Sequence, residues 1–281
     1  TARLASGDPD MWQQIFLDTW RRYRDFFYDP NMQGVDWPAM KERYGQLIRF
    51  ARSRWDVTQI CSDMQAEISA GHTYTYGGDT ERVEPVLSGM LGIDWELVND
   101  MYRIKRIVKP ADWDTRIRSP FDQPGVDVRI GDTIHAVNGI RLNPGRDPYA
   151  AFEGLSGKTV TLLVSRDGNP AQAREVIVTC LAPSEERELR NLEWIENNRR
   201  MVEKLSGGKL GYIYMSNTSG EGQSELVRMF YGQLHKEGFI IDERFNGGGQ
   251  LADRFLELLR RPVVYNLYWR NGQVNTQPVK A

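Results

Sequence analysis

Two short stretches of the sequence carry residue types that could do chemistry. AGHTYTYGGD at residues 70–79 holds His72, one of three histidines in the chain. An imidazole titrates near neutral pH, so His72 is a candidate general base. NGGGQ at residues 246–250 holds three adjacent glycines, whose backbone N–H groups can approach an anion closely because no side chain intervenes. The two stretches thus suggest proton transfer at one place and anion binding at the other.

Both stretches also have a structural interpretation, which the residues alone favour. The glycines lie between a predicted strand and a predicted helix, where the anion would be a phosphate or the oxyanion of an acyl-transfer intermediate. Neither G-x-x-x-x-G-K-[ST] nor G-x-G-x-x-G occurs at this turn, which argues against a nucleotide. A tight turn that needs positive φ explains the same glycines, and a loop or helix-capping role explains His72.

Composition excludes several classes of function. The 281 residues are 40% hydrophobic and 26% charged, with a formal net charge of −2, which predicts a globular chain of two or three compact units. The charges form no basic stripe for nucleic acid, and no apolar run approaches the roughly 18 residues of a membrane span. Cys61 and Cys180 match no metal-ligand or redox spacing. We expect no nucleic-acid partner, membrane insertion, metal or cofactor; the compartment stays open, with the cytoplasm slightly favoured over the periplasm.

Residues 1–86 are predicted to form a helical subdomain that carries the His72 loop. Apolar residues recur at helical spacing in three segments. The helix-start signals of these segments are Asp8–Pro9, Asp36, and the capping-box pair Asp56 and Gln59. The third helix is expected to end at Gly71, because glycine commonly follows the last helical residue. His72 is therefore predicted to lie in a loop at the end of a helix.

Residues 87–183 change to the pattern of short strands. LGIDWELV and MYRIKRIV are predicted strands, and further strands with turn glycines and one short helix indicate a small, partly open β-barrel. Asn138-Gly139 can form the positive-φ turn of a hairpin, while Ile130, Ile134 and Val137 are predicted to face one core. The order and spacing of five groups resemble the PDZ domains of bacterial and archaeal proteases, and these are Ser119-Pro120, Gly125-Val126, Ile130-Gly131-Asp132, Ile134 and Val137-Asn138-Gly139.

The PDZ resemblance implies a peptide-binding groove. PDZ domains bind an extended peptide as an added strand and hold its terminal carboxylate in a backbone loop. By resemblance, that loop would contain Leu91, Gly92 and Ile93, and a helix bearing Tyr149 and Phe152 would form the far wall of the groove. A role in packing alone is the alternative.

Residues 184–281 alternate between helix and strand. The segment SEERELRNLEWIENNRRMVEKLSGG predicts a surface helix, and KLGYIYM predicts a strand after it. A helix over 222–237, a buried strand GFIID that runs into the glycine turn, and a helix after that turn complete the pattern. This order predicts a layered α/β unit with a parallel sheet.

A second resemblance covers nearly the whole chain. GGKLGYIYM and KEGFIIDERFNGGGQLADRFLELLRRPVVY resemble the tricorn branch of the tail-specific serine peptidases, and HTY followed by glycines matches the loop of that family's catalytic histidine. The resemblance implies a multidomain protein with a PDZ-like insertion and the first part of a crotonase-like α/β catalytic domain. It makes His72 the general base and Gly248, with Gly247 as the nearest competitor, the donor of an oxyanion N–H. The chain departs from the family pattern at Gly71 and Glu243.

The resembled family carries its nucleophilic serine and an acidic partner on later segments, and we find neither before Ala281. Three serines near the third-region strand lack the nucleophile context, namely Ser216, Ser219 and Ser224. We therefore expect part of a serine endopeptidase that acts on peptides or unfolded proteins, inactive by itself, with a homo-oligomeric parent left open. A non-catalytic PDZ-type peptide-binding or scaffold module is the alternative. In a peptidase, His72 should lie about 6 to 14 Å from the glycine N–H groups.

Overall fold

A computed structural model describes residues 9–80, 83–270 and 272–278. The chain divides into two compact units, Thr1–Pro85 and Val86–Ala281, and each is described by itself. None of the helices in the described ranges is both long and apolar enough to cross a membrane.

The first unit is helical, as predicted. Its three helices are α1 (Pro9–Phe26), α2 (Trp37–Gly45) and α3 (Arg54–Ala66). Their apolar faces share one core, in which Phe16 and Val57 are fully buried. Two hydrogen bonds join α1 to α2. The indole N–H of Trp20 donates to the Trp37 carbonyl oxygen at 2.9 Å, and the indole N–H of Trp37 donates to the Trp20 carbonyl oxygen at 3.0 Å.

The third helix begins and ends earlier than the sequence predicts. Ser53 caps it: the Ser53 hydroxyl accepts the Asp56 N–H at 3.3 Å, and the Asp56 carboxylate accepts the Ser53 N–H at 2.9 Å. The predicted box of Asp56 and Gln59 is wrong, because Asp56 is already the third residue of the helix. The helix ends at Ala66, before Gly71.

The second unit begins with a six-stranded antiparallel sheet. Its strands are β1 (Ile93–Val98), β2 (Met101–Ile107), β3 (Thr133–Val137), β4 (Ile140–Arg141), β5 (Thr159–Ser165) and β6 (Arg174–Thr179). The order is β1-β2-β3-β5-β6 with β4 beside β3, so β1 is an edge strand. The segment predicted as a helix near Tyr149 is a 3₁₀ helix, Pro148–Phe152.

Local signals in this sheet were predicted with one error. Asn138 and Gly139 have φ of 48° and 80°, as a two-residue hairpin turn requires, so the predicted turn is confirmed. Ile134 and Val137 lie in the core. Ile130 is 62% exposed, so its predicted core position is wrong. It stands just before a turn in which the Gly131 N–H donates to the carbonyl oxygen of Ile104, and this turn directs Ile130 to solvent.

The rest of the second unit is the predicted α/β segment. It contains α4 (Pro183–Leu205), β7 (Leu210–Tyr214), α5 (Gly220–Tyr231), β8 (Gly238–Asp242), α6 (Ala252–Leu259) and a hairpin of β9 (Tyr265–Tyr268) and β10 (Val274–Gln277). Strands β7 and β8 pair in parallel, which confirms the predicted strand direction. Helices α5 and α6 cover one face, with Ile213 and Phe230 fully buried in the core that they form.

Replacing Ser53 by alanine tests the cap of α3. Loss of the side-chain acceptor should cost about 1 kcal/mol, which corresponds to roughly fivefold faster hydrogen exchange of the α3 amides. Ser62→Ala, within the same helix, is the matched control and should leave exchange unchanged or slower. Equal exchange rates in Ser53→Ala and the parent chain would show that the cap contributes nothing.

Candidate functional site

His72 lies on an exposed turn after α3. Its φ of +62° belongs to the left-handed region, which few residues other than glycine adopt and in which histidine is enriched. Its ring meets the edge of Tyr74, with centroids 6.1 Å apart. The Gln65 side-chain amide donates to the Thr75 hydroxyl at 2.5 Å, which ties the following loop to α3. The fold therefore presents the imidazole to solvent on a loop that is held by hydrogen bonding.

The glycine turn after β8 is paired with the turn after β7. The Thr218 N–H donates to the Gly248 oxygen at 2.9 Å, and the Leu251 N–H donates to the Thr218 oxygen at 2.7 Å. The Gly247 N–H donates to the Ser216 oxygen at 2.9 Å. Two loops at the carboxyl ends of two parallel strands thus form one platform, and backbone hydrogen bonds fix its shape.

Both predicted oxyanion donors have an internal acceptor in this structure. The Gly247 N–H is bound by a backbone carbonyl of the paired turn. The Gly248 N–H donates to the side-chain oxygen of Asn246 at 2.7 Å. A side-chain acceptor can rotate away, whereas a backbone acceptor is held by its own turn. Gly248 is therefore the donor that an incoming anion can engage more readily.

The glycines are needed for different physical reasons. A Cβ atom on Gly249 would lie 2.4 Å from the Thr218 carbonyl group, a distance that backbone atoms do not tolerate, and its φ is +147°. Gly248 has φ of +82°, and among the described residues, apart from its two chain neighbours, no atom lies within 4 Å of such a Cβ. Glycine is needed at position 249 because a side chain would collide with the paired turn. At position 248 glycine is favoured by the positive φ alone, and there is open space beside it.

Asp242 anchors the end of β8, directly before the turn. It is 7% exposed and accepts the Tyr212 hydroxyl at 2.7 Å and the Arg244 guanidinium at 2.5 Å. Hydrogen bonds from Arg244 outweigh burial and hold the pKa of the Asp242 carboxyl at about 2. Burial, together with the hydrogen bond to Asp242, raises the pKa of Tyr212. This charged network fixes where the strand stops and the turn begins.

The three serines near the turn have local structural partners. Ser216 Oγ donates to the Glu225 carboxylate at 2.9 Å, Ser219 Oγ to Asn217 Oδ1 at 2.5 Å, and Ser224 Oγ to the Gly220 carbonyl at 2.9 Å. These bonds agree with their interpretation as loop and helix residues.

An aromatic group beside the turn was missed by the sequence reasoning. Phe245 has φ of +64° and is 84% exposed. Its ring lies 5.9 Å from Trp194 of α4, which in turn meets Tyr214 of β7 edge-on at 5.3 Å. An aromatic residue immediately before NGGG was the available signal. The turn thus carries an apolar side chain as well as backbone donors.

The predicted groove residues lie together in the second unit. Leu91, Ile93 and Phe152 are fully buried in the core of the antiparallel sheet. Tyr149 packs on Phe152 with ring centroids 5.8 Å apart, and burial raises the pKa of its hydroxyl. Gly92 has φ of +63°. Peptide binding by this group stays a prediction, as does the distance from His72 in the first unit to the glycine turn in the second.

Comparisons with known proteins agree with this domain order. The tricorn protease C1 domain family matches residues 8–66, and the tricorn protease PDZ domain family matches residues 89–183. A putative tricorn-like protease C-terminal subunit of Sulfurisphaera tokodaii is 32% identical over 96% of this chain and 31% of that protein. Tricorn protease homolog 1 of Streptomyces coelicolor is 32% identical over 90% of this chain and 23% of that protein.

A solved structure gives the same result. The crystal structure of the tricorn protease superposes with a TM-score of 0.84 and 25% identity, over 96% of this chain and 26% of that chain. A helical unit, a PDZ domain and an α/β segment in this order define a multidomain protein with a PDZ domain of the kind found in tricorn proteases. Residues 8–66 and 89–183 of this chain belong to the tricorn protease C1 and PDZ domain families, and the chain as a whole is similar to tricorn proteases. It spans about a quarter to a third of the length of these relatives.

Replacing Asp242 by asparagine tests the charged anchor. The folded-state pKa lies below the ordinary 3.8, so the carboxylate stabilises the fold above that value and loses its contribution as pH falls through about 2. The variant should be less stable at neutral pH by at most about 2 kcal/mol, since the exposed Arg244 partner is screened by water. The difference in unfolding free energy should shrink toward zero near pH 2. Exposed Glu243→Gln is the control; a difference that persists at that pH contradicts the assignment.

Replacing single glycines by alanine separates contact from conformation in the turn. Gly248→Ala should cost about 1 to 2 kcal/mol, the cost of positive φ alone. Gly249→Ala should cost on the order of 3 kcal/mol or more, because its Cβ atom would collide with the paired backbone turn. Urea midpoints followed by circular dichroism measure both. An equal loss in the two variants would show that the two turns are not held in contact.

Proposed function

We propose that this chain supplies part of the active site of a serine-type peptidase that hydrolyses peptides by acyl transfer. The observation that carries the proposal is the similarity to proteins named tricorn proteases, which extends over 96% of the chain and so covers both units. In this proposal the α/β segment begins a crotonase-like catalytic domain, and its nucleophilic serine belongs to another part of the full-length protein. The substrate is a peptide or an unfolded protein segment.

His72 is the general base of the proposed reaction. An imidazole takes the proton of a serine hydroxyl while that oxygen attacks the peptide carbonyl, and later returns the proton to the leaving amine. The exposed position of His72 on its turn supports this role, because a base must reach a hydroxyl that another segment brings. The engaged hydroxyls of Ser216, Ser219 and Ser224 support a nucleophile elsewhere.

The glycine turn stabilises the tetrahedral intermediate in this proposal. A preorganised N–H group aimed at the developing oxyanion is typically worth about 3 to 4 kcal/mol. Gly248 is preferred over Gly247, because an oxyanion can replace the Asn246 amide oxygen, which is neutral and rotatable. The charge on the oxyanion makes the new hydrogen bond stronger than the one it replaces.

A non-catalytic scaffold is the second candidate function. The observation that favours it is that the N–H groups of Gly247 and Gly248 both have internal acceptors. In that case the PDZ domain binds the peptide, and the glycine turn has only the structural role of reversing the chain direction.

Replacing His72 by alanine in the full-length protein separates the two candidates. Loss of a general base should lower kcat/KM for fluorogenic peptides by roughly 10²- to 10⁴-fold. His235→Ala is the matched control, because His235 is also exposed but lies after α5, and it should retain activity. Full activity of His72→Ala would remove His72 from the reaction, and absence of peptidase activity in the parent protein would favour the scaffold.

A further inference from the structure

Strand β1 lies at the edge of the sheet, but its first backbone carbonyl oxygen, that of Ile93, already accepts a hydrogen bond. An edge strand offers unpaired backbone groups to which a peptide can add as another strand. Here the Ile93 carbonyl oxygen accepts Nη2 of Arg190 at 2.8 Å, and Nη1 of the same guanidinium bonds Asp94 Oδ1 at 2.7 Å. Arg190 belongs to α4, so this helix takes a main-chain bond that an added strand would otherwise make.

Leu189 brings the same helix onto the predicted carboxylate loop. Its side chain is fully buried, and its Cδ2 atom would lie 2.8 Å from a Cβ atom on Gly92. Only glycine leaves room for this contact. The apolar side chain of α4 therefore packs directly on the loop where the terminal residue of a peptide was predicted to bind.

Glu186 places a carboxylate beside the same residues. It is 3% exposed, and its Oε1 atom accepts two hydrogen bonds from Arg190, at 2.9 and 2.6 Å. Its Oε2 atom is buried without a partner among the described residues. Burial and, to a smaller degree, the Glu186 charge raise the pKa of the Tyr149 hydroxyl. A buried carboxylate with one free oxygen is costly, which makes its position a poor choice for stability alone.

Glu193 of α4 also contacts the sheet and the residues after it. Glu193 accepts hydrogen bonds from the Arg106 guanidinium of β2 and, at 3.2 Å, from the Lys109 N–H. The contacts thus run along one side of α4, from its first turn to its third, and together they cover the start of the β1 edge.

We propose that α4 is an internal ligand of the PDZ groove. Leu189 takes the place of the apolar side chain at a peptide C-terminus, and Arg190 makes the main-chain hydrogen bond that the added strand would otherwise make. A peptide binds only in competition with the first turns of α4. The inference concerns the PDZ groove and does not depend on the catalytic role of His72.

The size of the effect follows from the population of the open groove. A groove that is open in about 1% of molecules binds its ligand about 100-fold more weakly than a permanently open one. Weakening the α4 contacts raises the open fraction and tightens the apparent binding by the same factor. The proposal therefore predicts a gain of binding from a loss of native contacts.

Fluorescence anisotropy on the 281-residue chain tests this gain. The probe is a short fluorescein-labelled peptide that ends in leucine with a free carboxylate, and its amidated form is the ligand control. Leu189→Ala and Arg190→Ala should each bind the probe at least about tenfold more tightly than the parent chain. Arg187→Ala is the matched protein control, because Arg187 lies on the same helix but is exposed, and it should bind like the parent chain.

Two outcomes would overturn the proposal: equal binding by the parent chain and Leu189→Ala, or no binding by either of two folded variants. Arg190→Ala leaves Glu186 and Asp94 without their shared cation and can unfold; Leu189→Ala removes only apolar atoms. If both variants unfold, hydrogen exchange of the parent chain decides. Excess probe should then slow exchange in β1 and speed exchange over 183–193, and an unchanged pattern in both segments would sink the idea.

Discussion

The Arg190 guanidinium joins helix α4 to the edge strand β1 of the second unit. One guanidinium bonds a backbone carbonyl and a carboxylate of the edge strand β1, and also a buried carboxylate one turn earlier on its own helix. Arginine suits this place because its planar fork presents several donors in fixed directions. Arg190 offsets part of the cost of burying the Glu186 carboxylate, whose pKa is raised by burial. The antiparallel sheet and the α/β segment are thereby joined through side chains as well as through the chain itself.

Pairing of two loops plays the corresponding role at the glycine turn. The turns after β7 and β8 exchange backbone hydrogen bonds, and Gly249 allows them to approach each other. The Asp242 network fixes the end of β8 by charge and hydrogen bonding. In the proposed reaction this platform would hold the Gly248 N–H in place, so that the Asn246 side chain alone would have to move aside for an oxyanion.

Local sequence signals predicted much of the fold. The structure confirms the Asn138-Gly139 turn and the strands β1 and β2, which were predictable because each depends on a short pattern of residues. It also confirms the parallel pairing of β7 with β8, which was predictable from the alternation of strands and helices. The cap of α3 was misplaced by three residues, because two overlapping capping patterns compete and the tertiary structure uses the one at Ser53.

Contacts between segments that are distant in the sequence could not be predicted from the sequence patterns. Helix α4 was predicted as a surface helix from its many charges, yet Glu186 and Glu196 are buried and paired with arginines. The packing of Leu189 on Gly92 joins segments nearly a hundred positions apart. No periodicity marks such a contact, because it depends on how the completed sheet and helix fit together.

Helix α4 contacts two places in the second unit that are far apart in the sequence. The helix contacts the PDZ groove through Leu189 and, little more than one turn later, places Trp194 against Phe245 beside the glycine turn. A ligand that displaces α4 from the groove would therefore also change the surroundings of that turn. Thermodynamic linkage makes such coupling reciprocal: whatever factor one ligand imposes on the other is returned in full. Binding of a ligand at the glycine turn would then change the affinity of the PDZ groove for a peptide, and α4 would transmit the effect in both directions.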